Sequence, residues 1–187
     1  MTETIIANPR RKRPEHRRET PQQPPAEPAP HTLDPAVLGD HIDALYRAAW
    51  ALCGSPTDAE DLVQTTFARV LARPRIIRRD NDRAYLLRAL RNTYASHYRR
   101  FARRPAIVPL REGDAASETE TTISSSEIME AVASAPALYR DAVIAVDVVG
   151  LSYREAARSL RTREATIATR LHRGRQHVAR ELIDRGA

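Results

Sequence analysis

The chain has 187 residues, 42% of them hydrophobic, with a formal net charge of +6 and a pI near 10.1. This hydrophobic content suffices for one packed domain or two small ones, and it excludes a wholly disordered chain. The excess of basic residues indicates a polyanionic partner, either nucleic acid or an anionic membrane surface. The single cysteine, Cys53, excludes an intramolecular disulfide and a zinc site built on paired cysteines. We interpret it as a small buried apolar residue.

The N-terminal segment predicts neither a membrane anchor nor a folded unit. No stretch approaches the roughly 20 uninterrupted apolar residues of a membrane span, and arginine and proline stand where a signal peptide has its apolar core. Residues 1–32 contain most of the prolines and a basic run, Arg10 to Arg13, but almost no periodic apolar residues. We therefore expect a disordered tail over residues 1–32 and a cytoplasmic protein without membrane insertion.

The pattern of residues 36–101 is helical. The first predicted helix has apolar residues at the spacing of one helix face: Ile42, Leu45, Tyr46, Ala49, Leu52 and Cys53. Residues 54–56, Gly-Ser-Pro, end this helix. A capping box formed by Thr57 and Glu60 is predicted to begin the second helix, and Pro74 ends it.

A third helix is predicted from about Ala84. Its apolar face carries Leu87, Leu90, Tyr94, Tyr98 and Phe101, and its basic face carries Arg88, Arg91, Asn92, Arg99 and Arg103. Twelve arginines stand between Arg69 and Arg104, against two acidic residues, Asp80 and Asp82. Cationic side chains that hold a backbone while aromatic rings stack on bases are typical of single-strand binding. Tyr94 and Tyr98 share the apolar face, so the pattern fits a core role equally well.

Residues 106–126 separate two modules. They are acidic, rich in Ser and Thr and poor in apolar residues, which predicts a flexible linker. The second module, residues 127–187, is predicted to begin with a helix near Ser126. It continues through an almost wholly apolar helix over residues 137–149, which we expect to be buried and to end at Gly150.

Residues 151–175 have the spacing of a helix-turn-helix. Ser152 and Glu155 form a capping box, residues 161–163 form a short turn, and Ile167 and Leu171 give the following helix an inward face. Its outward stripe contains Arg163, Thr166, Arg170, Arg173, His177 and Arg180. In a helix-turn-helix the second helix lies in the major groove, where such side chains reach phosphates and base edges. The alternative is a charged, solvated helix in a plain helical hairpin.

Three stretches together resemble one protein family. Residues 137–175 resemble region 4 of sigma-70-family factors of the extracytoplasmic-function group, residues 58–67 (DAEDLVQTTF) resemble region 2.2 of that group, and residues 85–100 resemble its promoter-melting segment. The resemblance implies an all-α fold with two small helical domains, region 2 at residues 33–105 and region 4 at residues 127–187, joined by the flexible linker.

The resemblance also implies a function and its partners. A sigma factor binds core RNA polymerase and directs initiation through the -10 and -35 promoter elements, and an anti-sigma factor commonly holds it inactive. Phosphate loops, paired-cysteine or HExxH metal spacings and GxSxG nucleophile motifs do not occur in the sequence. We accordingly expect no catalysis, no cofactor and no metal.

The resemblance assigns candidate site residues in three groups. Core-polymerase binding falls on Asp61 and Gln64, which project away from the apolar helix face, and on Thr65, where the family commonly has glutamate. Binding of the -10 element falls on Arg78, Arg79, Asn81, Arg83, Tyr85, Arg88, Arg91, Asn92, Arg99 and Arg100. Binding of the -35 element falls on Arg163, Thr166, Thr169, Arg170, His172 and Arg173. Asp61 and Gln64 have a second interpretation, in which they only cap and solvate their helix.

Two other functions stay open on the residues alone. One is an ordinary helix-turn-helix transcription regulator whose N-terminal helical module dimerises or senses a signal. The other is a helical adaptor whose charged faces bind protein without any DNA role.

Overall fold

The computed structural model describes residues 29–78, 81–101 and 124–186, and it is helical throughout apart from one minimal sheet. The elements in chain order are β1 (His31–Thr32), a 3-10 helix (Pro35–His41), α1 (Ile42–Cys53), α2 (Pro56–Ala72), β2 (Ile76–Ile77), α3 (Asp82–Phe101), α4 (Ser125–Ser134), α5 (Ala137–Val143), a π-helix (Ile144–Val148), α6 (Tyr153–Ser159) and α7 (Glu164–Gly186). The two strands pair antiparallel, His31 opposite Ile77 and Thr32 opposite Ile76. The prediction of an all-α fold with two helical modules is confirmed.

The boundary between α1 and α2 follows from local chemistry. Gly54 ends α1 with a φ of 75°, a left-handed conformation that glycine adopts without steric cost. The predicted capping box of Thr57 and Glu60 is wrong, because Ser55 caps α2 by accepting a hydrogen bond from the Asp58 amide. Pro56 fits the first helical position, where no amide hydrogen is needed, so the helix begins earlier than expected.

The N-terminal module packs α1, α2 and α3 around an aliphatic core. Leu45, Leu62, Leu87 and Leu90 are all buried in it. Helix α3 begins at Asp82, ahead of the predicted start, because the Asn81 side chain accepts a hydrogen bond from the Ala84 amide at 2.8 Å.

The C-terminal module begins inside the predicted linker. Ser124 and Glu127 form a capping box, so α4 starts at Ser125 within the segment 106–126. The predicted apolar helix over residues 137–149 is two pieces, α5 and the π-helix, in which the Val149 amide donates to the Ile144 carbonyl at 2.9 Å. Gly150 ends it with a φ of 77°, as predicted.

The end of the predicted N-terminal tail is also structured. His31 and Thr32 were expected to be disordered, yet they form β1, because their backbone pairs with β2 and the His31 side chain bonds to Asp82. The rest of the predicted tail through residue 28, and residues 102–123 around the predicted linker, lie outside the described residues.

The two modules pack against each other. Helix α1 contacts α4 and the π-helix, and α3 contacts α6. A single hydrophobic cluster contains Leu45 and Leu52 of the first module together with Val132 and Ile144 of the second. Asn81, Arg83 and Arg91, three of the residues assigned to the -10 element, therefore lie beside the second module.

Candidate nucleic-acid and polymerase interfaces

The outward face of α2 is acidic and polar. Asp61 and Gln64 are exposed, while Leu62 and Val63 between them are buried against the core. Thr65 is partly exposed at the edge of this face. The three residues assigned to polymerase binding are therefore adjacent on one helix surface that a protein partner can reach.

Helix α3 is buried more completely than an amphipathic stripe predicts. Leu86 is as fully buried as Leu87, and Thr93 is also buried. Helix α3 packs against α1 and α2 of its own module and against α6 of the second. Tyr94 is partly buried against the core, which fits the core alternative for this ring. Asn92 is exposed, and the side chains of His97 to Phe101, including Arg99 and Arg100, lie outside the described residues.

Tyr85 combines a core contact with a cationic neighbour. Its ring packs against the hydrophobic cluster, and the guanidinium carbon of Arg88 lies 6.0 Å from the ring centroid. This geometry is that of a cation–π contact, which fixes the arginine beside the ring. The pair offers a flat face and a positive charge side by side.

The connection between β2 and α3 presents further basic residues. Arg78 follows β2 and is exposed, and Arg83 is exposed in the first turn of α3. A Cβ atom at Gly150 would lie 3.6 Å from Nη1 of Arg83, which places this guanidinium next to the second module. Arg79 lies outside the described residues.

Two residues assigned to the -10 element bind the second module. Arg91 forms an ion pair with Asp141 of α5, and the Asn81 side-chain amide donates to Glu155 of α6 at 2.6 Å. Both acidic partners are partly buried. Asp141 and Glu155 thus engage two side chains that the resemblance assigns to binding a DNA strand.

The helix-turn-helix has the predicted geometry. The capping box of Ser152 and Glu155 is present, and Arg161 holds the turn with a φ of 53°, a left-handed conformation that usually favours glycine. Ile167 and Leu171 are fully buried, as their spacing predicts. The outward face of α7 is therefore fixed relative to the module.

That face carries the -35 candidates, four of which line a shallow groove. Arg163, Thr169, His172 and Arg173 are exposed, and Thr166 and Arg170 are partly exposed. The groove has a volume of about 450 Å³, and Tyr139, Ala165, Thr166, Thr169, Arg170 and Arg173 line it.

Tyr139 of α5 orients one of these arginines. The Arg173 guanidinium donates to the Tyr139 hydroxyl at 3.1 Å and lies 6.0 Å from the ring centroid. This hydrogen bond raises the pKa of Arg173 above its ordinary value, so the side chain keeps its charge. Tyr139 is not predictable as a site residue from the sequence, because its position in an apolar helix gives no sign of a polar role.

Gly174 allows α7 to approach α5 closely. A Cβ atom there would lie 2.5 Å from the Val143 side chain and 3.1 Å from the Tyr139 carbonyl oxygen. The bidentate ion pair between Arg175 and Asp147, at 3.0 and 2.6 Å, holds the same part of α7. Helix α7 is thereby held closely against α5 and, through Asp147, against the π-helix.

The described parts of the chain contain neither a metal-binding cluster nor a membrane-spanning helix. Within residues 29–78, 81–101 and 124–186, no three His, Cys, Asp or Glu side chains lie close enough to hold a metal ion. Among the helices described, none has the length and apolar character to span a bilayer.

Comparison with known proteins identifies the family. The model described as Sigma-70 region 2 matches residues 38–104, and that described as Sigma-70, region 4 matches residues 125–178. The RNA polymerase sigma-E factor of Streptomyces coelicolor is 32% identical over 148 residues, which cover 76% of this chain and 82% of that protein. The ECF RNA polymerase sigma factor SigE of Mycolicibacterium smegmatis is 32% identical over 150 residues, covering 76% of this chain and 58% of that protein. The chain belongs to the extracytoplasmic-function group of the sigma-70 family.

Solved structures agree with the assignment of this sigma factor. The sigma factor RpoE of Bartonella quintana, in complex with the anti-sigma factor NepR, matches with a TM-score of 0.57 and 25% identity, covering 79% of this chain and 96% of that one. CnrH in complex with the cytosolic domain of CnrY matches with a TM-score of 0.55 and 22% identity, covering 81% of this chain and 88% of that one. The latter likeness concerns the fold alone.

Proposed function

We propose that this sigma factor binds core RNA polymerase, directs it to promoters through the -10 and -35 elements, helps to open the duplex and leaves after initiation. One observation carries the proposal: an acidic and polar face on α2 and an arginine-rich α3 share one module, and the second module presents a helix-turn-helix. A module that only bound DNA would gain nothing from an acidic face. The chain contributes binding energy, and the polymerase supplies the chemistry.

The face of α2 is the proposed polymerase-binding site. Asp61 and Gln64 are exposed on it, with Thr65 at its edge, and their neighbours Leu62 and Val63 are buried. A partner can therefore contact the carboxylate and the amide without disturbing the core. Because an exposed interfacial charge acts mainly on the encounter rate, we expect this contact to depend on ionic strength.

The connection before α3 and the helix itself form the proposed -10 site. Arg78 and Arg83 are exposed on either side of Asn81, and the Arg88–Tyr85 pair follows on the helix. Guanidinium groups bind the phosphates, and an aromatic face stacks on an unpaired base. Arg91 and Asn81 join this site once their contacts with Asp141 and Glu155 separate.

The groove on α7 is the proposed -35 site. Arg170 and Arg173 line it with Thr166 and Thr169, so charged and hydroxyl side chains converge where a major-groove edge would enter. Arg173 is held by Tyr139, which limits its loss of conformational freedom on binding. Arg163 and His172 are exposed but do not line the groove, and we assign them to phosphate contacts.

The partners and the location follow from this role. The sigma factor acts in the bacterial cytoplasm with polymerase and promoter DNA, and an anti-sigma factor holds it inactive. The Bartonella quintana relative was solved with such an inhibitor, which supports this last proposal.

In vitro transcription tests the whole proposal. Purified core polymerase is incubated with genomic DNA with and without this chain, and the RNA 5′ ends are mapped. We expect specific start sites only in its presence, with a shared sequence at -10 and -35. A helix-turn-helix regulator would instead retard its duplex site without polymerase, and an adaptor would tolerate Arg170→Ala with Arg173→Ala.

Substitutions on α2 test the polymerase site. The double variant Asp61→Ala with Gln64→Ala should weaken core binding by about tenfold or more, because it removes both groups offered to the partner. Affinity is measured by fluorescence anisotropy of the labelled chain. Asp43→Ala is the control, since it removes the same charge from an exposed position on α1. A double variant that binds like the wild type would refute the assignment.

A further inference from the structure

His31 is an unexpected feature of the structure. It precedes the region 2 match, which begins at residue 38, and it belonged to the segment expected to be disordered. Its backbone pairs with Ile77 at the end of β2, and its Nε2 donates to Asp82 Oδ1 at 2.7 Å in the first turn of α3. One residue therefore holds both ends of the connection that carries Arg78 and Asn81.

Buried residues anchor this contact. Leu33, which follows β1, and Ile77, the strand partner of His31, are both buried in the hydrophobic cluster. Ile76 and Arg78 on either side of Ile77 are exposed. The strand pair is thus fixed to the core through Ile77, while Ile76 and Arg78 face solvent.

The imidazole is arranged to carry a positive charge. Nδ1 lies 3.0 Å from the Ala29 carbonyl oxygen, and Nε2 lies 2.7 Å from the Asp82 carboxylate. Only the doubly protonated ring donates to both acceptors, and a charge-assisted hydrogen bond is shorter and stronger than a neutral one. The pKa of His31 is accordingly raised, with the Asp82 hydrogen bond as its main cause.

The contact also changes the charge that a DNA strand meets. Asp82 is one of two acidic residues among the twelve arginines between Arg69 and Arg104. Paired with an imidazolium, its carboxylate repels phosphate less than it would alone. Its position in the first turn of α3 remains favourable for the helix dipole.

We propose that His31 is a positioning residue for the -10 site, holding the end of β2 and the start of α3 so that Arg78, and Asn81 once Glu155 releases it, are in place to receive the melted strand. This rests on the proposed function of that site. A connection already fixed at both ends offers its side chains in one geometry and loses less conformational entropy when it binds a strand that matches this geometry, so the contact favours the correct strand over a substituted one.

Promoter selectivity tests the proposal. Transcription by the holoenzyme is measured on a mapped promoter and on templates with single -10 base-pair substitutions, each of which lowers wild-type activity by about 5- to 150-fold if it is read. His31→Phe keeps a ring of similar size but removes both side-chain hydrogen bonds. It should lower the ratio of transcription on the mapped promoter to transcription on a substituted template by about 3- to 10-fold. His31→Gln retains a donor toward Asp82 and should restore most of it.

Controls separate positioning from mere destabilisation. Thr32→Ala alters the exposed neighbour on β1 and should leave the ratio unchanged. If His31→Phe leaves the ratio at its wild-type value, or lowers transcription equally on every template, the proposal is overturned.

Amide hydrogen exchange tests the contact without any promoter. In the full chain, His31→Phe should speed exchange at residues 76–78 and 82–84 while leaving α7 unchanged. Unchanged exchange there overturns the proposal. If wild-type holoenzyme yields no start sites, the proposed function fails, and this measurement still decides whether His31 fixes the connection.

Discussion

The surroundings of Cys53 lower the reactivity expected of its thiol. Burial raises the pKa of its thiol to about 11, and the nearby Asp58 carboxylate acts in the same direction. We expect the thiolate fraction at about pH 8 to be on the order of 100-fold below that of an ordinary cysteine, with alkylation slowed accordingly. Iodoacetamide labelling followed by mass spectrometry measures this, with the urea-unfolded chain as control. Native labelling within a fewfold of the unfolded rate would contradict the expectation.

His31 gives the stability of the fold a pH dependence of defined sign. Its folded-state pKa is raised above 6.5, so the stabilisation from its pair with Asp82 is fully present below pH 6.5 and is lost as pH rises through the folded-state value. We expect the difference in unfolding free energy between wild type and His31→Gln to be larger at about pH 6 than at about pH 9. Because the ring is 35% exposed, solvent screening keeps this difference below about 1 kcal/mol. Urea unfolding measures it, and a difference that grows toward high pH would contradict the assigned sign.

At the scale of the helices, patterns that depend on near neighbours were predictable. The Ser152–Glu155 capping box, the ends at Gly54 and Gly150 and the buried pair Ile167 and Leu171 all follow from local spacing. The boundary of α2 was wrong because two overlapping cap signals compete there, and proline at the first helical position favours the earlier one.

Features that depend on distant partners were not predictable. The strand formed by His31 and Thr32 requires β2, more than 40 residues away along the chain. Leu86 lies off the predicted apolar stripe of α3, yet it is fully buried in a helix that packs against α6 of the second module. The described members of the three groups of candidate site residues lie on or beside the predicted helices, and their functional roles remain predictions.

Substitution of Gly174 tests how closely α7 packs against α5. Gly174→Ala would gain helix propensity, but its Cβ would lie 2.5 Å from the Val143 side chain, so we expect a net destabilisation of about 1–2 kcal/mol. Gly39→Ala is the matched control, because nothing lies within 4 Å of its Cβ position and no change beyond about 0.5 kcal/mol is expected. Urea unfolding of both variants measures the difference. Equal stabilities would show that α7 is not closely seated on α5.

At the scale of the whole molecule, the packing of the two modules involves residues of the proposed -10 site. Asp141 holds Arg91 and Glu155 holds Asn81, so carboxylates of the second module occupy side chains assigned to the -10 strand. Sequence spacing gave no sign of these pairs, since 50 residues separate Arg91 from Asp141 and 74 separate Asn81 from Glu155. Their separation is a step that polymerase binding must bring about if the proposed -10 site is to act.

Removing the Asp141 carboxylate should make that step easier. We expect Asp141→Ala to raise the affinity of the chain without polymerase for a 20-nucleotide single strand by about 3- to 10-fold, because Arg91 is released and the modules are held less firmly. Fluorescence anisotropy measures binding, and small-angle scattering measures the accompanying rise in radius of gyration. Asp147→Ala is the matched control, since it also removes one carboxylate from an arginine, but its partner Arg175 lies in the same module. If both variants raise the affinity equally, the gain comes from net charge alone, and the contact between the modules does not restrain the -10 site.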